Sequence, residues 1–446
     1  MEETYRKLAQ RIENKEAKIC VIGLGYVGLP LAVEFGEEGF LVNGYDISEK
    51  KVNTLQGGQS DVDDVSSERV ATLVNKGLLA PSTSPDKIAD SDVIIIAVPT
   101  PLNKTKDPDV SFILQATEAV KNNLRTGQLI ILESTTYPGT TEELVLPLLQ
   151  ETGLVCGKDF YLAFSPERVD PGNKKYYLRN TPKVIGGITS QCAHLAAAFY
   201  LSVVEKIHLV SSTKAAEMVK LLENTYRSVN IGLVNEIALM CDKLGLNIWE
   251  IIEAASTKPF GYMPFFPGPG LGGHCIPIDP HYLSWKLRGL NYYARFIEIA
   301  SEINSSMPLY VVQKVMDLLN EHQKPLKGSR VLLLGVAYKK DIMDVRESPA
   351  LDVLQLMEEK GAVVEYNDPN VPEIRWKDSK KKSTQLTEQT LREADCVVII
   401  TDHSVYDFKW IVDNSQLVFD TRNATEGILD SKIRKLGDGE LSTHLL

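Results

Sequence analysis

Long apolar runs are missing from this 446-residue chain. None approaches the roughly 20 residues needed to span a bilayer, so no transmembrane helix is expected. The stretch from Met1 to Lys18 is dense in Glu, Lys and Arg and has no hydrophobic segment, so it does not read as a signal peptide. Paired cysteines are missing too. Cys20, Cys156, Cys192, Cys241, Cys275 and Cys396 are scattered, with no CxxC spacing. That fits a reduced, cytoplasmic protein better than a disulfide or zinc framework. An excess of cations is also absent: 48 Lys and Arg face 59 Asp and Glu, a net charge of −11. Such a chain is a poor partner for nucleic acid or an anionic membrane. His274 and His281 lack metal-ligand spacing, and no metal is expected.

What is present is globular. Hydrophobic residues make up 43% and charged residues 24%. At roughly 150 residues per domain the length suggests about three folding units. Residues 18–24 form a β-branched apolar run stopped by glycine, which reads as a strand. A helical pattern from Tyr26 to Glu38 follows, then strands at Leu41–Tyr45, Val93–Val98, Leu129–Leu132, Phe160–Phe164 and Val184–Ile185. Strand and helix in alternation imply a mostly parallel sheet covered on both faces. Residues 1–210 make this first unit. Residues 211–325 read as a helical spacer: a helix over 213–244 stopped by Gly245, a Pro- and Gly-rich loop over 258–280, and a helix over 292–322 interrupted near Pro308. Residues 326–446 repeat the α/β pattern, with strands at 330–336, 363–366, 396–401 and 417–419 and a helix at 349–360. The basic run Lys377 to Lys382 reads as a solvated loop rather than a docking patch.

Gly23-Leu-Gly25-Tyr26-Val27-Gly28 is a G-x-G-x-x-G between a strand and a helix, with Asp46 18 residues beyond Gly28 at the end of the next strand. That is the full context of a dinucleotide site. Gly23 allows the tight turn, Gly25 lets the backbone approach a pyrophosphate, and Gly28 lets helix and strand pack closely. The helix start offers N–H groups and a positive dipole end to phosphate. Asp46 can accept both adenosine ribose hydroxyls and would repel a 2′-phosphate, so NAD is favoured over NADP. The second α/β unit keeps only Gly335 at the equivalent turn and gains Lys339, Lys340 and Arg346. A nucleotide diphosphate suits those cations; ordinary loop surface charge is the other account.

Gly268-Pro-Gly-Leu-Gly-Gly-His-Cys275-Ile-Pro-Ile-Asp279 crowds glycines before one cysteine, where backbone could approach a ligand closely. Cys275 is a candidate nucleophile: it could capture an aldehyde as a thiohemiacetal, which loses a second hydride to give a thioester. A structural cysteine is the alternative. Lys220 and Asn224 share one helix face and could hold an oxyanion, although spacing alone favours plain surface side chains. Glu167, in Ser165-Pro-Glu167-Arg168, follows a strand end at the sheet's carboxyl edge. It is a candidate base there, with an ordinary exposed Glu as the alternative.

Taken together these residues resemble the UDP-glucose/GDP-mannose dehydrogenase family over nearly the whole chain. The resemblance runs through Gly23-x-Gly25-x-x-Gly28, Val98-Pro-Thr100-Pro, Ser134-Thr135, Ser165-Pro-Glu167, Lys220-x-x-x-Asn224, Gly272-Gly-x-Cys275-x-Pro-x-Asp279 and Lys339-Lys-Asp341-x-x-Asp344-x-Arg346-Glu-Ser-Pro349. It implies an α/β fold of two Rossmann-like doubly wound domains joined by a long central helix that also forms a homodimer or higher oligomer. It implies a four-electron oxidation of a UDP-sugar with two NAD+. Cys275 would be the thioester nucleophile, with Lys220 and Asn224 on the oxyanion and Asp279 assisting proton transfer. Glu167 and Thr135 would position or activate the hydrolytic water. Asp46 and Lys51 would grip the adenosine ribose, with Tyr26 and Val27 in the cofactor turn and Thr100 beside it. Lys339 would meet the nucleotide sugar, and Arg346 would close over the cofactor. Glu167, Arg168, Lys220, Asn224 and Gly272 would also line the substrate site. His274 and the run Lys258 to Gly270 are similar to the UDP-N-acetyl-D-glucosamine 6-dehydrogenase subgroup, whose product enters surface polysaccharides. Phe265 or Phe266 would then flank the sugar, and Lys258 would reach across a subunit boundary. The competing readings are a UDP-glucose, UDP-GalNAc or UDP-ManNAc 6-dehydrogenase by the same mechanism, a two-electron dehydrogenase, and a catalytically silent NAD and nucleotide-sugar sensor.

Overall fold

In a computed structural model, residues 2–62, 64–103, 107–170, 172–173 and 175–439 are described. They divide into two compact units. One comprises residues 1–223 with 281–292, the other 224–280 with 293–446.

The first unit is built on eight strands: β1 (Lys18–Ile22), β2 (Leu41–Tyr45), β3 (Leu79–Ser82), β4 (Val93–Ile96), β5 (Leu129–Leu132), β6 (Tyr161–Phe164), β7 (Lys183–Gly187) and β8 (Ile207–Leu209). Their order is β3-β2-β1-β4-β5-β6-β7-β8, parallel except for β6 against β7. β4 and β5 read Val-Ile-Ile-Ile and Leu-Ile-Ile-Leu and are buried at every position, because helices cover both faces of the sheet. The chain reverses direction across the sheet between β1 and β4, and a crevice at such a point is where these sheets take ligands.

The second unit carries β9 (Arg330–Leu334), β10 (Val363–Asn367), β13 (Cys396–Ile399), β14 (Val418–Asp420) and β15 (Ile433–Lys435) in the parallel order β10-β9-β13-β14-β15. β11 (Glu373–Trp376) and β12 (Ser379–Lys382) form an antiparallel hairpin. This corrects the loop expected over Lys377–Lys382. The hairpin holds because its cations are paired: Lys377 and Lys381 lie 3.0 and 2.7 Å from Glu358, and Lys380 bonds Glu373.

The helix Thr213–Leu244 matches its sequence expectation. The next long helix, Arg295–Glu321, runs through Pro308 without the expected interruption. Met307, Pro308, Val311 and Val312 are all buried, and that packing outweighs the lost backbone hydrogen bond. β3, β8 and the helix Asp279–Arg288 were not read from sequence. β8 is three residues long, and β3 contains a proline. Among the described residues, no helix is long and apolar enough to cross a membrane, and no cluster of ligating side chains could hold a metal.

Candidate active site

The glycine turn after β1 has the geometry its motif requires. Gly23 takes φ +90° and donates its N–H to the Tyr45 carbonyl at 2.8 Å. A Cβ on Gly28 would stand 1.8 Å from the Gly23 carbonyl oxygen, so only glycine lets the helix Gly28–Glu37 start there. At Gly25 nothing lies within 4 Å of an added Cβ. Packing inside the protein does not explain that glycine, and the open space beside it leaves room for a ligand. The Asp46 carboxylate accepts Leu24 N–H and Ser48 N–H, each at 2.9 Å, and is thereby fixed beside the turn with lone pairs left for ribose hydroxyls. These residues fit NAD. Lys51 lies near Asp46 in sequence, and its ammonium pairs with Asp61 at 2.5 Å. Tyr26 is exposed, Val27 is half-buried and Thr100 is buried.

The loop after β5 joins the same sheet edge. Ser134 donates to the Val98 carbonyl at 2.8 Å, tying the ends of β4 and β5. Thr135 beside it is half-buried. Glu217, on the helix Thr213–Leu244, is fully buried. It accepts Gly139 N–H at 2.5 Å, Thr141 N–H at 2.9 Å and the Thr141 hydroxyl at 2.7 Å. It therefore locks the Thr135 loop to the helix that carries Lys220 one turn later.

Glu167 follows β6. Its Oε1 accepts the N–H groups of Arg168 and Val169, each at 2.6 Å. Its Oε2 lies 3.6 Å from Lys183 Nζ. Burial pushes this carboxyl up, but Lys183, the two N–H donors and Lys220 outweigh it, and the group is held below its ordinary value. Glu167 is thus an anion over the working pH range. Lys220 is buried, not a surface side chain. Arg168 turns to Glu223 at 2.6 Å and to the Pro182 carbonyl at 2.6 Å.

In the second unit Asn224 Nδ2 donates to Asp279 Oδ2 at 2.5 Å, and both side chains are buried. Asp279 N–H donates to the Cys275 carbonyl at 2.8 Å, so the two residues sit one helical turn apart at the start of the helix Asp279–Arg288. Cys275 is half-buried. The glycines before it have a cause the sequence did not reveal. A Cβ on Gly272 or Gly273 would meet the Tyr338 side chain at 2.6 or 2.8 Å, and one on Gly268 would meet the Arg422 guanidinium at 2.6 Å. They admit side chains of the second unit, rather than only a ligand. Gly273 N–H also donates to the Arg346 carbonyl at 3.0 Å. The Arg346 guanidinium lies on Asp344 at 2.6 Å, and Lys339 is half-buried. Phe265 packs on the core and meets Tyr226 edge-on at 5.7 Å, while exposed Phe266 stacks on Trp249 at 6.4 Å. Lys258 is exposed, with its ammonium over the Phe260 ring.

A concavity of about 530 Å³ also opens in the first unit, lined by Tyr137 and Trp285 among others. Its charges are already compensated: Lys286 pairs with Glu143 at 2.5 Å and Arg288 with Asp107 at 3.5 Å. None of its lining residues belongs to the glycine turn.

Sequence reasoning missed Glu133, Lys183, Tyr200 and Glu217, all buried polar groups. The one available signal was a charge adjoining an apolar strand, as in Leu129-Ile-Ile-Leu-Glu133 and Lys183-Val-Ile.

Three family models match the chain. The NAD binding domain of the UDP-glucose/GDP-mannose dehydrogenase family covers residues 17–204, its central domain 214–306 and its UDP binding domain 332–427. A UDP-N-acetyl-D-mannosamine dehydrogenase of Methanococcus maripaludis is 35% identical over 439 residues, 95% of this chain and 97% of that protein. A UDP-N-acetyl-D-glucosamine 6-dehydrogenase of Salmonella typhi is 35% identical over 399 residues, 88% of this chain and 91% of that protein. Among solved structures, a UDP-D-ManNAc dehydrogenase of Pyrococcus horikoshii superposes with a TM-score of 0.86 at 35% identity, over 95% of this chain and all of that one.

Proposed function

The chain belongs to the UDP-glucose/GDP-mannose dehydrogenase family as an NAD-dependent UDP-sugar dehydrogenase, and from that premise we propose that it oxidises the C6 hydroxyl of UDP-N-acetylglucosamine to the uronic acid. The domain roles follow the family: residues 1–210 bind NAD, 211–325 carry the cysteine loop and a dimer contact, and 326–446 bind the UDP-sugar. The observation that carries the chemistry is the Asn224–Asp279 hydrogen bond beside the Cys275 turn. It joins two of the residues assigned to this reaction to the turn that carries the third.

Bound NAD+ supplies the hydride acceptor for each of two oxidations. Cys275 adds to the C6 aldehyde, and the thiohemiacetal goes on to a thioester. Lys220 and Asn224 hold the oxyanion of each tetrahedral state. Asp279, hydrogen-bonded to Asn224, moves protons at the nucleophile. Glu167 takes a proton from the water that cleaves the thioester, and Thr135 helps to position that water. A carboxylate held in its charged form suits that task. Lys339 contacts the nucleotide sugar, Arg346 closes over the cofactor, Phe265 or Phe266 flanks the sugar, and Lys258 serves a neighbouring subunit. The second reading is UDP-N-acetylmannosamine as substrate by the same route, favoured by the names of the Methanococcus and Pyrococcus relatives.

The test is NADH formed per sugar consumed, with UDP-N-acetylglucosamine, its manno and galacto epimers, and UDP-glucose in parallel. Two NADH per UDP-N-acetylglucosamine, lost in Cys275→Ala, supports the proposal. Preference for another sugar overturns the substrate. One NADH per sugar overturns the thioester route.

A further inference from the structure

Behind Glu167 lies a group of charges that the proposed reaction does not use. Glu133 follows β5, Lys183 opens β7, and Tyr200 closes the helix Ser190–Tyr200. The side chains of Glu133 and Lys183 are 0% and 3% exposed, and Tyr200 is fully buried. Lys183 Nζ lies 3.0 Å from each oxygen of Glu133 and 3.6 Å from Glu167 Oε2. The Tyr200 hydroxyl donates to Glu133 Oε1. Burying Lys183 and Glu133 as an ion pair costs several kcal/mol per ion before their attraction offsets it, and apolar side chains of the same size would fill this space without that penalty. Structure alone therefore accounts poorly for the charge.

We propose that Lys183 and Glu133 are positioning residues that fix the aim and the charge of Glu167, with Lys183 as the counter-cation shared between the two carboxylates. This rests on the reading of Glu167 as the water-activating base. With Oε1 occupied by two N–H donors, Oε2 on the Lys183 side is the oxygen that receives the proton. One cation serves two acids, and their environments push them apart. Burial drives Glu133 up to about 7 despite Lys183, with the charge of Glu167 adding to the rise. Glu167, with its N–H donors and Lys220 besides Lys183, is held low. Lys183 feels burial pulling it down, but the two carboxylates keep it above its ordinary value and charged. Such divergence between neighbouring acids commonly accompanies a division of acid–base labour.

The sign follows. Glu167 must be ionised to act. Removing the Lys183 charge raises its pKa, so the acid limb of the kcat–pH profile moves to higher pH. Removing the Glu133 charge leaves Lys183 to Glu167 alone, so the limb stays or moves lower. The groups facing Glu167 are Glu133 from the end of β5, Lys183 from β7, Tyr200 from its helix and Lys220 from the helix Thr213–Leu244.

The experiment compares K183M/E133Q, E133Q, K183R and E167Q in the full-length enzyme, with far-ultraviolet circular dichroism and NAD affinity as checks on folding. We expect K183M/E133Q to shift the acid limb up by about one pH unit or more through the lost charge, to lose at least about tenfold in kcat at neutral pH through the lost aim of Glu167, and to accumulate the sugar thioester on Cys275 by intact mass. E133Q should show no upward shift, and K183R should keep the wild-type limb. If the double variant does not fold, E133Q and K183R carry the test: an upward shift in both overturns the charge assignment. A folded double variant with wild-type kcat and an unmoved limb overturns the inference while E167Q still traps the thioester. Wild-type turnover by E167Q overturns the reading of Glu167 and the inference with it.

Discussion

Gly25 and Gly28 belong to one motif but have different tasks, and substitution separates them. Gly28→Ala places a methyl 1.8 Å from the Gly23 carbonyl, so the turn must open. It should lose about 2–4 kcal/mol of stability by urea denaturation, and NAD binding with it. Gly25→Ala meets no protein atom within 4 Å. It should fold with unchanged stability and still lose NAD affinity by tenfold or more in calorimetric titration, because the methyl takes the place of the pyrophosphate. Asp46→Asn keeps the size of the side chain but leaves an amide donor facing Leu24 N–H or Ser48 N–H. The KM for NAD should rise about 10–100-fold. At this scale the sequence was most legible. The spacing of the three glycines and Asp46 predicted the tight turn that the structure shows, because such a turn is a local structure. Glu133, Lys183 and Glu217 say little, because their hydrogen-bond partners lie 50 to 78 positions away in the chain.

The helix Thr213–Leu244 buries polar side chains among apolar ones such as Leu221, Val234 and Ala238. Its enclosed side carries Glu217, Lys220, Asn224, Ser228 and Asn235, all buried and recurring at helical spacing. Its exposed side carries Met218, Leu222, Tyr226, Leu233, Met240 and Leu244. Spacing alone therefore pointed to a surface Lys220 and Asn224: periodicity reveals that a helix has two faces, not which one faces inward. Glu217 anchors the polar side. Glu217→Ala would orphan the buried N–H groups of Gly139 and Thr141. The expected loss is about 2–4 kcal/mol by urea denaturation, with kcat falling because the Thr135 loop is released. A wild-type kcat in a stable Glu217→Ala protein would separate that loop from the chemistry.

For the whole molecule, the exposed apolar stripe on that helix is the element best suited to a partner. Its residues follow steps of four and seven along a single face, the spacing of a helix-pairing seam. We expect a homodimer in solution, and Leu222→Glu with Leu233→Glu should turn it into a monomer by sedimentation velocity. A double variant that sediments like the wild type would remove the helix from the interface.

The family and the α/β class were legible in the chain itself, and so were the tight glycine turn and the position of Cys275 in its loop. Each of these rests on local pattern: alternation of strand and helix, a glycine spacing, a cysteine in a Gly- and Pro-rich loop. Only the tertiary structure decided that Lys220 and Asn224 face inward, that Gly272 and Gly273 make room for Tyr338, and that a buried Lys183 stands between Glu133 and Glu167. Those facts depend on residues far apart in the chain. Packing within each unit brings its own set together, and in the first unit burial and ion pairing, not sequence neighbourhood, set the charges of Glu133, Lys183 and Glu167.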